Sequence, residues 1–308
     1  MRMKTKTRRE VVVRFTSGLG NQLFQLACGL HLAGKEAAQL VADTTWYDFV
    51  AQVHRPVRSF RLPELGVFLP QAFRGPRRWA VGLTTAIFDR WQLGRGLCEK
   101  IGSMHISQET APMTSQMLST DPNRSRTYLN GYWQTADHFL AVRDVLDGIL
   151  DTRVPLSAGA TEWTARIEQQ KTAFIHIRRG DYQTLAGHNG ILPLEYYKKA
   201  VRALRDRGES WHWLVFSEDK DWASRNLGFL DGWELVSYES RNRDIEDLLL
   251  MKRCSAGIIA NSSFSWWGAA LGDKPGRPIA APGKYWRHST SGSEDWRLPD
   301  WLPIPAWE

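Results

Sequence analysis

Ala173-Phe-Ile-His-Ile-Arg-Arg-Gly-Asp-Tyr182 is the stretch that decides how this chain folds. Its first five residues are apolar apart from His176, without the polar alternation of a half-solvated strand, so they read as a strand covered on both faces. Two arginines and a glycine then end the strand at a charged turn. Outward from it the same grammar repeats. Pro193 to Arg207 reads as a helix, with proline in its first turn and Gly208 past its end. Trp213-Leu-Val-Phe216 is a strand, Asp221 to Leu227 a short helix and Glu234-Leu-Val236 a strand. Asp244 to Arg253 is a helix, Gly257-Ile-Ile-Ala260 a strand, Phe264 to Leu271 a helix and Pro278-Ile-Ala-Ala281 a last strand. Strands and helices alternating at short spacing predict a parallel sheet with helices on both faces, an α/β unit.

A second unit precedes it. Val11-Val-Val-Arg-Phe15 reads as a strand, Ser17-Gly-Leu-Gly20 as a glycine turn, and Asn21 to Ala33 as a helix with Leu23, Phe24, Leu26, Ala27 and Leu30 on one face. Residues 50–125 carry little pattern and read as loops and helices. A linker is expected near 151–170. The chain is thus divided into an α/β domain over 1–160 and a second over 161–290. The proline- and tryptophan-rich tail, 291–308, is expected to pack back across the first domain.

Composition narrows the class. The 308 residues are 43% hydrophobic and 24% charged, ordinary for a folded globular chain. No apolar run is long enough for a transmembrane helix, and the short Val11–Val13 run is too brief for a secretory signal, so a cytoplasmic location is expected. Three cysteines, Cys28, Cys98 and Cys254, lie far apart without CxxC spacing, which argues against a disulfide framework or a zinc site. The net charge of +7 suits a phosphate-bearing ligand, a nucleic acid or an anionic membrane. Residues 74–91 mix arginines with tryptophans and aliphatics. They read either as a helix lying on a membrane face or, the favoured reading, as a helix packed on the protein with a solvated basic edge. No nucleic-acid module is recognisable, although a basic binding protein for nucleic acid or anionic lipid is the alternative from another class.

Four segments fall at expected strand ends, where open α/β sheets bind ligands. In His176-Ile-Arg-Arg-Gly-Asp-Tyr182, arginine forks suit phosphate oxygens and would stabilise a departing diphosphate. The competing reading is an arginine pair bridged to nearby acids. Asn261-Ser-Ser-Phe-Ser-Trp-Trp-Gly268 runs from a strand end into a helix start, whose free N–H groups bind anions, with Asn or Ser as cap. Asp244 and Asp247 share a helix face and suit either a guanine edge or simple capping. Gly18-Leu-Gly-Asn-Gln22 permits close backbone approach, and its amides suit sugar hydroxyls. Asp219 and Asp221 form the Asp-x-Asp pattern that holds a metal in many enzymes of nucleotide sugars. Lys220 between them and the arginine pair nearby argue against that use here.

Taken together, four segments resemble the bacterial α-1,2-fucosyltransferases of glycosyltransferase family eleven. They are Gly18-Leu-Gly-Asn-Gln-Leu-Phe-Gln25, His176 to Tyr182, Phe216-Ser-Glu-Asp219, and Asp247-Leu-Leu-Leu-Met251 through Ala260-Asn-Ser-Ser-Phe-Ser-Trp-Trp-Gly-Ala269. The resemblance implies a GT-B-like fold, two facing Rossmann-like α/β domains with a cleft between them, the acceptor on the first and the donor on the second. It implies inverting transfer of L-fucose from GDP-β-L-fucose to O2 of a terminal galactose, with no metal or other cofactor and with surface-polysaccharide synthesis as the setting. By similarity, Arg178 would hold the β-phosphate, with Arg179 beside it. Asn261, Ser262, Ser263 and Phe264 would line the diphosphate site, Asp247 would read guanine and His176 would lie near the nucleoside. Gly20, Asn21 and Gln22 would face the fucose. Arg178, Asp181 and Glu218 are the catalytic candidates, the latter two as alternatives for the base. The match departs at Glu218, where relatives often carry aspartate. A lipid-linked acceptor and peripheral attachment to the cytoplasmic membrane face are in keeping with this reading; a nucleic-acid partner is not expected.

Overall fold

The structure is a computed structural model that describes residues 8–51, 57–91, 104–109, 118–150, 154–179, 190–287 and 296–307. The chain divides into two compact units, Met1–Asp151 and Thr152–Glu308. Each is an α/β layer built on an all-parallel sheet, which in the second unit is what the alternating pattern predicts.

In the first unit, strands β1 (Glu10–Arg14), β2 (Gln39–Asp43), β3 (His105–Gln108) and β4 (Arg126–Asn130) lie in the order β2-β1-β4-β3. Val11, Val12 and Val13 are buried on both faces of β1, where β-branched side chains pack well. Helix α1 (Leu19–Lys35) follows the glycine turn, two residues longer at each end than the apolar periodicity indicates. Helix α2 (Thr45–Phe49) comes just before the segment without a clear pattern, which contains a 3-10 turn (Leu62–Leu65), α3 (Gly75–Trp91) and β3 itself. Helix α4 (Ala136–Ile149) completes the unit, its N-terminus capped by the Thr135 hydroxyl.

The second unit opens with α5 (Ala158–Gln169), capped by Ser157, inside the stretch expected to be a linker. Its apolar residues Ala160, Trp163 and Ile167 are buried at helical spacing, a stripe short enough to be taken for a connection. Then come β5 (Thr172–Ile177), α6 (Leu194–Arg205), β6 (His212–Ser217), α7 (Lys220–Asn226), β7 (Glu234–Leu235), α8 (Arg243–Arg253), β8 (Ala256–Ile258), α9 (Ser263–Ala270), β9 (Ile279–Pro282) and β10 (Leu302–Ile304). The sheet order is β10-β9-β8-β5-β6-β7. From β5 the chain builds outward through β6 and β7, then returns to build β8, β9 and β10 on the other side. The order therefore reverses between β5 and β8, the position at which open sheets leave a crevice above their carboxyl ends. Gly257 of β8 permits the close approach of these two strands, since a Cβ there would strike the Phe174 ring of β5.

The tail corrects an expectation. Leu302–Ile304 pairs in parallel with β9, so this segment is a strand of the second unit's own sheet. Trp296 and Trp301 are buried there against Trp266, whose indole N–H donates to the Trp296 carbonyl. Alternating prolines hid the strand; as an edge strand, β10 tolerates Pro303.

Arg277 holds this end of the unit together. It is buried, and donates from Nε to the Cys254 carbonyl (2.8 Å), from Nη1 to Ala269 (2.6 Å) and from Nη2 to Met251 (2.7 Å). These are carbonyls at the C-terminal ends of α8 and α9, where the helix dipoles favour a cation. Burial lowers its pKa to about 10, which leaves it charged at neutral pH. Cys28 and Cys254 are free, buried thiols; Cys98 lies outside the described residues. Among the described residues no helix is long and apolar enough to cross a membrane.

Candidate active site

The carboxyl ends of β5 and β8 flank the reversal in sheet order, and the strongest candidates gather there. Arg178 leaves β5 with its side chain only 14% exposed, and Nη1 donates to Glu218 Oε1 at 2.6 Å. Glu218 follows the adjacent strand β6 and its side chain is 57% exposed. Arg179 is held differently. Its Nε donates to Asp219 Oδ2 at 3.3 Å and its guanidinium lies 4.5 Å from the Trp222 ring. Asp219 also accepts the Trp222 backbone N–H at 3.0 Å, capping α7. The two arginines that look alike in sequence thus differ: Arg179 is a strut, while the acid on Arg178 Nη1 is a solvated carboxylate. Both acids of the competing reading are in place, one on each arginine. Among the described residues no group of three His, Cys, Asp or Glu side chains converges as a metal site.

His176, the one polar residue of the strand, is buried, and its ring lies 5.6 Å from that of Phe264 on α9. This contact joins the end of β5 to the start of α9. Burial, reinforced by the Arg178 charge, pushes the His176 pKa down to about 3, so the imidazole is neutral. Its Nδ1 is buried without a hydrogen-bond partner among the described residues. Ser262 is the N-cap of α9 but makes no side-chain capping bond, so the cap expected from Asn or Ser is absent. The first-turn N–H groups, including those of Ser263 and Phe264, have no carbonyl within the helix to meet. Such a start is an anion-binding element. The Asn261 amide is turned into the protein, with Nδ2 donating to the carbonyls of Gly190 (3.0 Å) and Tyr285 (3.3 Å). Asn261 therefore ties two loops together and does not reach out from the strand end.

Asp247 sits on α8. Its Oδ1 accepts from Tyr238 Oη and from Arg243 Nε, both at 2.8 Å, and the Arg243 guanidinium stacks 4.0 Å from the Tyr238 ring. Burial outweighs these partners and raises the Asp247 pKa to about 6. The neighbouring Glu246, unremarked in the sequence, is buried and grips the start of α5. Oε1 accepts Ser157 N at 2.7 Å and Oε2 accepts Ser157 Oγ at 3.0 Å. A glutamate beside an aspartate on a helix carries no sign of such a clamp.

In the first unit the reversal in strand order lies between β1 and β4. Ser17 after β1 (φ 63°) and Trp133 after β4 (φ 56°) both adopt left-handed backbone conformations, which residues other than glycine rarely hold without a functional or packing reason. Ser17 Oγ meets Tyr132 Oη at 3.2 Å. The half-buried Glu109 accepts Tyr132 N at 2.6 Å and Trp133 N at 3.1 Å, and burial raises its pKa. Asn21 Oδ1 accepts from Gln134 Nε2 at 2.7 Å, and Gly20 is buried in the first turn of α1. The Gln22 amide is fully committed to the protein: Nε2 donates to Ser17 O (3.1 Å) and Ser59 O (2.8 Å), and Oε1 accepts Arg61 N (2.8 Å). Gln22 thus braces the glycine turn, a role that the motif alone did not reveal. Asp181 lies outside the described residues.

Known proteins resemble this chain. The family model described as glycosyl transferase family 11 matches residues 105–305. An O-antigen biosynthesis glycosyltransferase of Escherichia coli, WbnK, is 35% identical over 88% of this chain and 93% of its own. An alpha-1,2-colitosyltransferase of Escherichia coli is 29% identical over 85% of this chain and 87% of its own. The solved structure of NodZ alpha-1,6-fucosyltransferase soaked with GDP-fucose aligns with 86% of this chain and 92% of its own, at 15% identity and a TM-score of 0.46, too distant to bear on the site. A family pattern reaching from β3 to β10, and a relative 35% identical along nearly the whole length, make this chain a glycosyltransferase of family 11.

Proposed function

We propose that the chain is an inverting transferase that moves L-fucose from GDP-β-L-fucose to O2 of a terminal galactose, in the assembly of a surface polysaccharide such as O-antigen. The observation that carries this reading is the pairing of Arg178 with the uncapped start of α9, on the two strand ends that flank the sheet's reversal. A fixed cation and free backbone donors suit a leaving diphosphate, whose charge grows as the sugar departs. The neutral His176 and the Phe264 ring suit the uncharged nucleoside portion, and Asp247 suits the two N–H groups of a guanine edge. Transfer is a single displacement: the acceptor hydroxyl attacks the anomeric carbon opposite GDP and passes its proton to a carboxylate, Asp181 or Glu218. Arg178 takes the charge-balancing part that a metal plays elsewhere. The name of the O-antigen relative supports the polysaccharide setting, and a cytoplasmic location belongs to the same proposal.

The likeness to an alpha-1,2-colitosyltransferase supports a second reading, the same linkage with a donor sugar lacking one hydroxyl of fucose. Incubation with GDP-fucose, GDP-colitose or GDP-mannose, each with lactose and with or without EDTA, separates the readings. The proposal expects product from GDP-fucose, undiminished by EDTA. Product from GDP-colitose alone would transfer the assignment to the second donor, and loss of activity in EDTA would overturn the metal-free site.

A further inference from the structure

The 74–91 segment takes no part in the site just described; it is a helix packed on the protein with exposed arginines at its start, and it also exposes an apolar face. Helix α3 is seated on the first unit through Val81, buried with Val12, Phe73 and Tyr128, and through Gly82, which abuts the Phe49 ring. Its opposite face is apolar. Trp79 is 64% exposed and Leu83, one turn on, is 52% exposed, with the exposed Pro76 one turn before Trp79. Trp79 is held upright, its ring edge-on to Phe49 at 4.9 Å. Phe68, at 79%, is among the most exposed large apolar side chains described. It lies three residues from Gln71, whose Oε1 accepts from Arg78 Nη1 at 3.2 Å, so the loop carrying Phe68 runs beside the start of α3.

Charge accompanies the apolar face. Residues 74–91 hold four arginines and one aspartate. Arg74 and Arg77 are exposed at the start of the helix, while Arg78 is engaged by Asp48 at 2.5 Å. Tryptophan and leucine standing in solvent on a helix whose first turn carries exposed arginines suit the two layers of an anionic bilayer surface. Apolar side chains enter the acyl boundary, and guanidinium groups meet lipid phosphates.

We propose that the Trp79–Leu83 face of α3, with Arg74, Arg77 and Phe68, is a docking surface for an anionic lipid bilayer. Docking there would hold the enzyme at the membrane on which a lipid-carried acceptor is presented. The inference stands on this face alone and survives whichever donor the enzyme uses.

The test is flotation of the full chain with vesicles of phosphatidylcholine alone, or of phosphatidylcholine mixed with phosphatidylglycerol, at low and high salt. Binding is expected to the mixed vesicles, weakened by salt and small on phosphatidylcholine alone. Charge reversal in Arg74→Glu/Arg77→Glu should lower the partition coefficient by about tenfold or more, and Leu83→Ser by a severalfold factor, on the order of what each cation or buried aliphatic adds at a membrane surface. Because Trp79 also packs on Phe49, the arginine pair and Leu83 are the deciding variants. Transfer to a soluble galactoside should be unchanged in both. Equal binding to both lipid compositions, no binding to either, or variants that float like the parent would overturn the proposal. So would a dimer in solution that Leu83→Ser dissociates while the parent ignores vesicles, since the face would then belong to a second copy.

Discussion

Acid should weaken guanine-nucleotide binding through Asp247, and well above the pH at which an ordinary aspartate titrates. Only the ionised carboxylate accepts from both N–H groups of guanine. Burial raises the Asp247 pKa to about 6, against the pull of Arg243 and Tyr238. If the ionised form alone binds, the apparent Kd grows by the factor 1 + 10^(pKa − pH): about 1.1 at pH 7 and about elevenfold at pH 5. The sign for the free protein is opposite. A carboxyl whose folded pKa is raised favours the native state below its ordinary pKa and loses that contribution as pH rises through about 6. GDP should therefore raise the melting temperature more at neutral pH than in acid. The terminal phosphate of GDP takes up a proton in the same range, so titration calorimetry on the parent must be paired with Asp247→Asn. The variant should bind more weakly at neutral pH and lose only what the phosphate accounts for, leaving a difference of about tenfold between the two pH profiles. Parallel profiles would refute the guanine-reading role and leave Asp247 as a partner of Arg243 and Tyr238.

Arg178→Ala should lower kcat by about 10²–10³, as loss of one preorganised charge stabiliser does, and near-normal turnover would remove Arg178 from the mechanism. Glu218→Gln should act in the other direction on binding. It frees Arg178 from a half-exposed ion pair worth about 0–1 kcal/mol, so GDP should bind up to about fivefold tighter in calorimetry, and weaker binding would show Glu218 to be a ligand contact. Arg277→Met should cost about 3 kcal/mol or more in denaturant unfolding, because three buried carbonyls at the ends of α8 and α9 lose their donor; a change under about 1 kcal/mol would mean that those ends are satisfied otherwise. Gly257→Ala should destabilise by about 1–3 kcal/mol or more through overlap with Phe174, and a neutral effect would contradict the close strand approach.

The strands of the second unit were legible because they are continuous apolar runs flanked by clear helix signals, and each lies within a residue or two of its expected bounds. Strand order was not legible. That β5 and β8 are neighbours on either side of the reversal comes from their long-range pairing, and this places His176 against Phe264. Short elements interrupted by prolines escaped as well: β10 reads as a tail because Pro303 and Pro305 break its pattern, and α5 as a linker because its buried stripe is only three residues. Residue type singled out the candidate site but did not divide its labour. Arg178 and Arg179, or Asn21 and Gln22, are equivalent on paper. Trp222 and Asp219 make Arg179 a strut, and Ser59 and Arg61 make Gln22 one, through contacts 37 to 40 residues away for all but Trp222, which lies 43 on. Glu109, Glu246 and Arg277 left no local trace, because each acts on backbone groups that the fold alone brings near.

The central claim is tested most directly by the chemistry of the product. After incubation of the enzyme with GDP-β-L-fucose and a galactose-terminated acceptor, proton and carbon NMR of the isolated oligosaccharide reads both the linkage position and the anomeric configuration. Inverting transfer predicts one α-linked fucose on O2 of galactose, with one GDP released per linkage formed. A β-linked or differently placed fucose, or GDP released without transfer to any galactoside, would contradict it.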